Sequence, residues 1–203
     1  DLIVAIIKLF EDLQNAEDDI LNVGVQSILL VEDSVRFYST YLPELYKLVL
    51  KQSSEFLKET LNEQQRKFRK RSRPKILLAT NFDDAVEMYS KFKDNILGVI
   101  SDVGFNVHKD DSPEMEKLDA GIDLVKLIKE DNPKIPILLQ SSQDSISAVA
   151  EELGVGFLRK YSKTLMIQLA EYIKEEFGFG DFVFRDADHN EYGRAANLKE
   201  LER

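Results

Sequence analysis

The sequence predicts an α/β fold, a doubly wound sheet of five parallel strands with helices on both faces. Three observations carry that prediction. Short apolar runs recur along the chain: SILLV at 27–31, KILLAT at 75–80, ILGVISDV at 96–103, IPILLQSS at 135–142 and VGFLRK at 155–160. Continuous apolar runs suit strands buried on both faces, as parallel strands are. Between them lie segments with apolar residues three and four apart, the period of a helix. Finally, several of the runs end in a charge or a hydroxyl, and ligands of open α/β sheets bind beyond the carboxyl ends of the strands.

Each element follows in order. Residues 1–22 place Leu2, Ile6, Leu9, Phe10 and Leu13 at helical spacing, with most charged residues off that stripe. The apolar run LIVAII ends at Lys8, far short of the roughly 18 residues that suggest a membrane span, and it lacks a basic secretion-signal flank. Because Asp1 opens the chain inside this pattern, the sequence reads as a piece of a longer protein, with residues 1–25 a helix and linker. After SILLV a helical pattern starts at Ser34 and runs through Phe37, Tyr41, Leu45, Leu48 or Val49, then Phe56, Leu57 and Leu61; Pro43 predicts a kink or restart. Continuous to Lys67, that helix would span roughly 50 Å. Its extension, about 50–73, would then project and require cover from the N-terminal helix, from the C-terminal hairpin, or from a second copy in a homodimer.

RKFRKRSRPK at 66–75 holds seven basic residues and reads first as a solvated helix end, second as a surface for an anionic partner. Asn81–Phe92 reads as a short helix with Ala85, Met88 and Tyr89 inward. A polar loop over 103–120 leads to the helix IDLVKLIKE, and SISAVAEELG is a helix stopped by Gly154. TLMIQLAEYIKEEFG completes the fifth helix, so that one domain covers 26–177. In 178–203, DFVFR and EYGRA flank the turn-rich DADHN as a β-hairpin, and NLKELE opens a further helix.

Composition narrows the function. The net charge of -10, from 27 Lys and Arg against 37 Asp and Glu, argues against DNA as a partner, and no nucleic-acid motif follows the domain. Zero cysteines exclude disulfides and thiolate metal sites and fit a reducing, cytoplasmic setting. At the strand ends stand Glu32 and Asp33, then Asp102, Ser141 and Lys160. Adjacent carboxylates repel unless something positive compensates them. Taken alone, the pair reads as a solvated loop or a helix N-terminus. With three further polar side chains in register, it reads as a site. Hard oxygen ligands suit Mg²⁺, an ionised aspartate is a competent nucleophile toward phosphorus, and a cation and a lysine would neutralise the transferred phosphoryl group. Ser142 reads as a helix cap, and His108 and His189 as surface residues.

On these motifs residues 26–175 resemble the receiver domain of bacterial response regulators, the CheY-like family, whose sheet is flavodoxin-like. The resemblance implies that Asp102 accepts a phosphoryl group, and that Asp33, Asp102 and the Gly104 carbonyl bind Mg²⁺, with Glu32 behind them or acting through water. It further implies that Ser141 and Lys160 bind the phosphoryl group and that Phe157 is the aromatic switch. Two departures stand out. Asp102 is 19 positions from Gly121, a lengthened loop with Pro113 displaced, and Tyr161 follows Lys160 where the family commonly has proline. The tail loosely resembles those of receivers fused to phosphoenolpyruvate-synthase or pyruvate phosphate dikinase domains. The implied function is a phosphorelay module whose partners are a sensor histidine kinase or phosphotransfer protein and covalently attached further domains. No dedicated catalysis is expected beyond self-phosphorylation and autodephosphorylation. The competing reading is a phosphorylation-independent interaction domain. A haloacid-dehalogenase-type phosphatase fits less well, because Gly104 stands where its second aspartate would be.

Overall fold

Sequence patterns of this kind place strands by burial, and the computed structural model bears the pattern out. It describes residues 2–58, 73–177, 182–185 and 191–195. Strands β1 (Ser27–Val31), β2 (Lys75–Ala79), β3 (Ile96–Asp102), β4 (Ile137–Ser141) and β5 (Gly156–Arg159) form one parallel sheet in the order β2-β1-β3-β4-β5. All five residues of β1 are buried, as a strand covered on both faces requires.

Alternate side chains feed two cores. Leu29, Val31, Leu77, Val99 and Leu139 pack under α3 (Phe82–Phe92), α4 (Ala120–Asp131) and α5 (Ile146–Glu152). Ile28, Leu30, Ile76, Ile100, Leu138 and Leu158 pack under α2 (Val35–Lys58) and α6 (Leu165–Glu175). Local signals set the helix ends. The Asn81 side chain accepts the Asp84 amide at 2.8 Å, capping α3, and Gly154 takes φ +65° just past α5. Helix α2 is one element through Pro43, with no restart at the proline. The expected extension of α2 lies largely outside the described residues, as does NLKELE. Strands β6 (Phe182–Arg185) and β7 (Glu191–Ala195) pair antiparallel, forming the hairpin.

Helix α1 (Leu2–Ala16) departs from the expected orientation. Its inward face is Ala5, Asp12 and Ala16, whereas Leu2, Ile6, Phe10 and Leu13 are exposed together with Ile3 and Ile7. The cause is a buried polar cluster. Asp12 is fully buried and accepts hydrogen bonds from Tyr46 Oη at 2.9 Å, from Arg73 Nη2 at 2.6 Å and from the Ile76 amide at 3.0 Å. Lys75 pairs with Asp19 at 2.5 Å. Ala5 belongs to one core and Ala16 and Ile20 to the other, so this segment passes around the free edge of β2. The basic run therefore does not end as a solvated helix terminus: Arg73 and Lys75 are 7% and 3% exposed. Met88 is only half-buried, beside the buried Ala85 and Tyr89. Ser142 caps nothing, since α5 begins four residues later and the Gln143 amide donates to Ser141 Oγ instead.

Among the described residues, no helix is long and apolar enough to cross a membrane.

Candidate functional site

Parallel strands carry their terminal residues to one edge of the sheet, where β1 and β3 deliver three carboxylates and the edge strand β5 an ammonium. Glu32 follows β1 and is 1% exposed; Asp102 ends β3; Lys160 follows β5 and is 5% exposed. The Lys160 ammonium donates to Glu32 Oε2 at 2.8 Å and to Asp102 Oδ2 at 2.5 Å. The other oxygens are also engaged: the Ser34 amide donates to Glu32 Oε1 at 3.1 Å and the Val103 amide to Asp102 Oδ1 at 2.7 Å. Asp33 is half-exposed beside them. One carboxylate oxygen from each of Glu32, Asp33 and Asp102 lies within 4.8 Å of the others.

Electrostatics follow from burial. Loss of hydration, then the nearby Asp102 charge, push Glu32 up to about 7, against the pull of Lys160. Burial likewise raises Asp102, with Lys160 and the Val103 amide opposing and Asp33 adding to the rise. Lys160 is raised although burial works against its charge, because Asp102 and Glu32 both favour the ammonium. As a donor set, three hard oxygens drawn together against their own repulsion fit a hard divalent cation such as Mg²⁺.

The remaining residues fall around this centre. Ser141 is buried at the end of β4, where the β3–β4 register sets Gln140 opposite Asp102, and its carbonyl accepts the Lys160 amide at 2.9 Å. Phe157 is half-buried, packed against the core under α3, α4 and α5. Gly104 is half-buried, two residues past Asp102. Gly121 packs on the Asp102 backbone so closely that a Cβ there would collide with the Asp102 carbonyl, which fixes the return of the long loop to the site. Tyr161 takes φ +67°, a left-handed conformation costly for an aromatic residue. His108 is exposed and pairs with Asp83 at 2.7 Å.

Sequence reasoning missed two neighbours. Phe37 packs at the margin of the core under α2 and α6, and there the Lys160 ammonium lies 4.2 Å from its ring centroid and Tyr161 meets the same ring edge-on at 5.2 Å. Its place in the first turn of α2, just after the Glu32–Asp33 pair, was the available signal. Glu116, in the long loop, has its carboxyl raised by partial burial and then by Asp33 and Asp102. Nothing in its sequence surroundings singles it out.

No family model and no curated protein matches the chain. Solved structures do. A response regulator receiver domain protein from Clostridium thermocellum is similar with a TM-score of 0.50 at 17% identity, over 76% of this chain and 96% of that one. The non-phosphorylated HemR receiver domain from Leptospira biflexa follows at TM-score 0.46, 19% identity, and 72% and 90% coverage. The CheX-CheY-BeF3-Mg complex from Borrelia burgdorferi gives TM-score 0.44, 16% identity, and 75% and 91% coverage. With its strand order, the first of these likenesses defines the class: the fold is that of a CheY-like receiver domain.

Proposed function

We propose that the chain is a response regulator receiver module that takes a phosphoryl group onto Asp102. The carrying observation is the Lys160 ammonium shared between Glu32 and Asp102, with Asp33 completing an acidic trio at the carboxyl ends of the strands. In the reaction an Asp102 oxygen attacks phosphorus and an acyl phosphate forms. The bond from phosphorus to the donor breaks, and the donor keeps the electron pair and takes a proton from solvent. Both Asp102 oxygens are hydrogen-bonded in this structure, so Lys160 has to release Oδ2 for attack and can then move its charge onto the phosphoryl oxygens. The Ser141 hydroxyl accepts the Gln143 amide and keeps its own hydrogen to donate to a phosphoryl oxygen. Asp33, Asp102 and the Gly104 carbonyl would hold Mg²⁺, with Glu32 acting through water. When bound, the cation neutralises phosphoryl charge.

A sensor histidine kinase or phosphotransfer protein is the donor in this reading, and covalently attached domains receive the output. A cytoplasmic setting accords with the cysteine-free sequence. A second copy of the chain belongs on the outward face of α1, where Leu2, Ile3, Ile6, Ile7, Phe10 and Leu13 are exposed together and two acidic molecules meet on apolar side chains, with Lys8 and Glu11 paired to each other on the same helix. That same face favours the second reading, a phosphorylation-independent assembly domain.

Intact-mass analysis after acetyl phosphate and Mg²⁺ separates the two. One added phosphoryl mass, abolished in Asp102→Asn, is expected. A wild-type chain that gains no mass and binds no beryllofluoride would leave only the assembly reading.

A further inference from the structure

We propose that Glu116 is a fourth carboxylate of this site, facing the cation that Asp33 and Asp102 hold and strengthening its binding. The inference rests on the receiver reading of the site but concerns a residue from the lengthened loop, which the resemblance assigns no role. Three observations carry it.

The first is how the loop is closed. Phe105 and Lys117 exchange backbone hydrogen bonds at 3.2 and 3.1 Å, tying the end of the loop to its beginning and bringing residue 116 back beside residue 104. The second is a close approach. Glu116 Oε1 lies over Gly104, 2.5 Å from where a Cβ on that residue would stand. Gly104 is the residue whose carbonyl is placed on the cation, so Glu116 rests against the ligand set itself. The third is that no cation among the described residues pairs directly with Glu116. Lys117, its neighbour, turns to Asp123 and Asp119. Lys160 is shared by Glu32 and Asp102, and among the described residues none makes a hydrogen bond or ion pair with Glu116.

Glu116 thus adds negative charge beside an acidic trio whose one ammonium is already shared by Glu32 and Asp102, an arrangement whose repulsion a bound divalent cation relieves. A loop-borne ligand is adaptable, so Glu116 can reach the cation directly or through one of the waters that Mg²⁺ retains.

The test is calorimetric titration of MgCl₂ into the whole chain, with Glu116→Gln, the control Glu114→Gln from the same loop, and Asp33→Asn. Thermal melts in chelator confirm folding, and Glu116→Gln should melt no lower than wild type because it removes repulsion. Glu116→Gln is expected to weaken Mg²⁺ binding by about tenfold, with Glu114→Gln unchanged. Unchanged affinity in Glu116→Gln beside a clear loss in Asp33→Asn overturns the proposal and leaves the receiver reading standing. Equal losses in Glu116→Gln and Glu114→Gln also overturn it, since they report only general charge. A wild-type chain that takes up no Mg²⁺ overturns the receiver reading and this proposal together.

Discussion

Glu32 is a carboxylate in the wrong solvent. It is almost fully buried, beside a second acid, and only Lys160 and one amide favour its charge. Its folded pKa of about 7 lies above that of an exposed glutamate, so between those values the folded chain holds a proton that the unfolded chain has released. Stability contributed by that proton is present at low pH and lost as pH rises through about 7; Asp102, shifted the same way, adds to the slope. In chelator, the melting temperature is therefore expected to fall by several degrees between pH 5 and pH 8, and Glu32→Gln should flatten that dependence. A melt that rises over the same range would show that Lys160 outweighs burial. Phe37 belongs to this scale as well: its ring sits against the ammonium that bridges the acids. An aliphatic replacement such as Phe37→Leu should leave the fold intact while slowing phosphorylation, because Lys160 loses the surface that positions it.

At the scale of elements, α1 has the largest consequence for stability. One helical carboxylate, Asp12, satisfies a tyrosine, an arginine and an edge-strand amide at once, all out of water. Removing it leaves Arg73 buried with only Glu11, at 3.6 Å, as counter-charge, and breaking one partner of a buried ion pair costs about 3–5 kcal/mol. Asp12→Ala should lose stability of that order in urea denaturation, and Tyr46→Phe roughly 1.5–3 kcal/mol for a hydrogen bond to a charged group. The Asp12 bond to the Ile76 amide also covers a donor on the free edge of β2, a surface that would otherwise pair with another chain. A chain lacking residues 1–22 should therefore self-associate through that edge, visible as growing light scattering. If it stays dispersed and equally stable, α1 is dispensable to the sheet.

For the molecule as a whole, charge decides what approaches it. A net charge of -10 opposes the phosphate backbone, and the basic residues that might have formed an anion-binding stripe are in part spent inside the fold, at Arg73 and Lys75. No shift of duplex DNA is expected in gels at low salt, where electrostatic binding is strongest. A shift would mean that the remaining basic residues of 66–72 form a competent surface.

The doubly wound sheet was legible because its evidence is local: five apolar runs, each bounded by turns, and helical periodicity between them. Strand ends were legible for the same reason, so Glu32, Asp33, Asp102, Ser141 and Lys160 could be named from position alone, and the structure brings Lys160 against both Glu32 and Asp102. What the sequence could not decide depends on which partners meet across long stretches of chain. Hydrophobic spacing aimed α1 inward along Leu2, Ile6 and Phe10, but a desolvated carboxylate sixty-one residues from its arginine set the helix the other way. Glu116 came to the site because a backbone pair closed the loop over a glycine. Periodicity reports how a segment partitions between water and protein; ion pairs, edge coverage and loop closure are settled only when distant segments share a dry interior, and there only the folded chain decides.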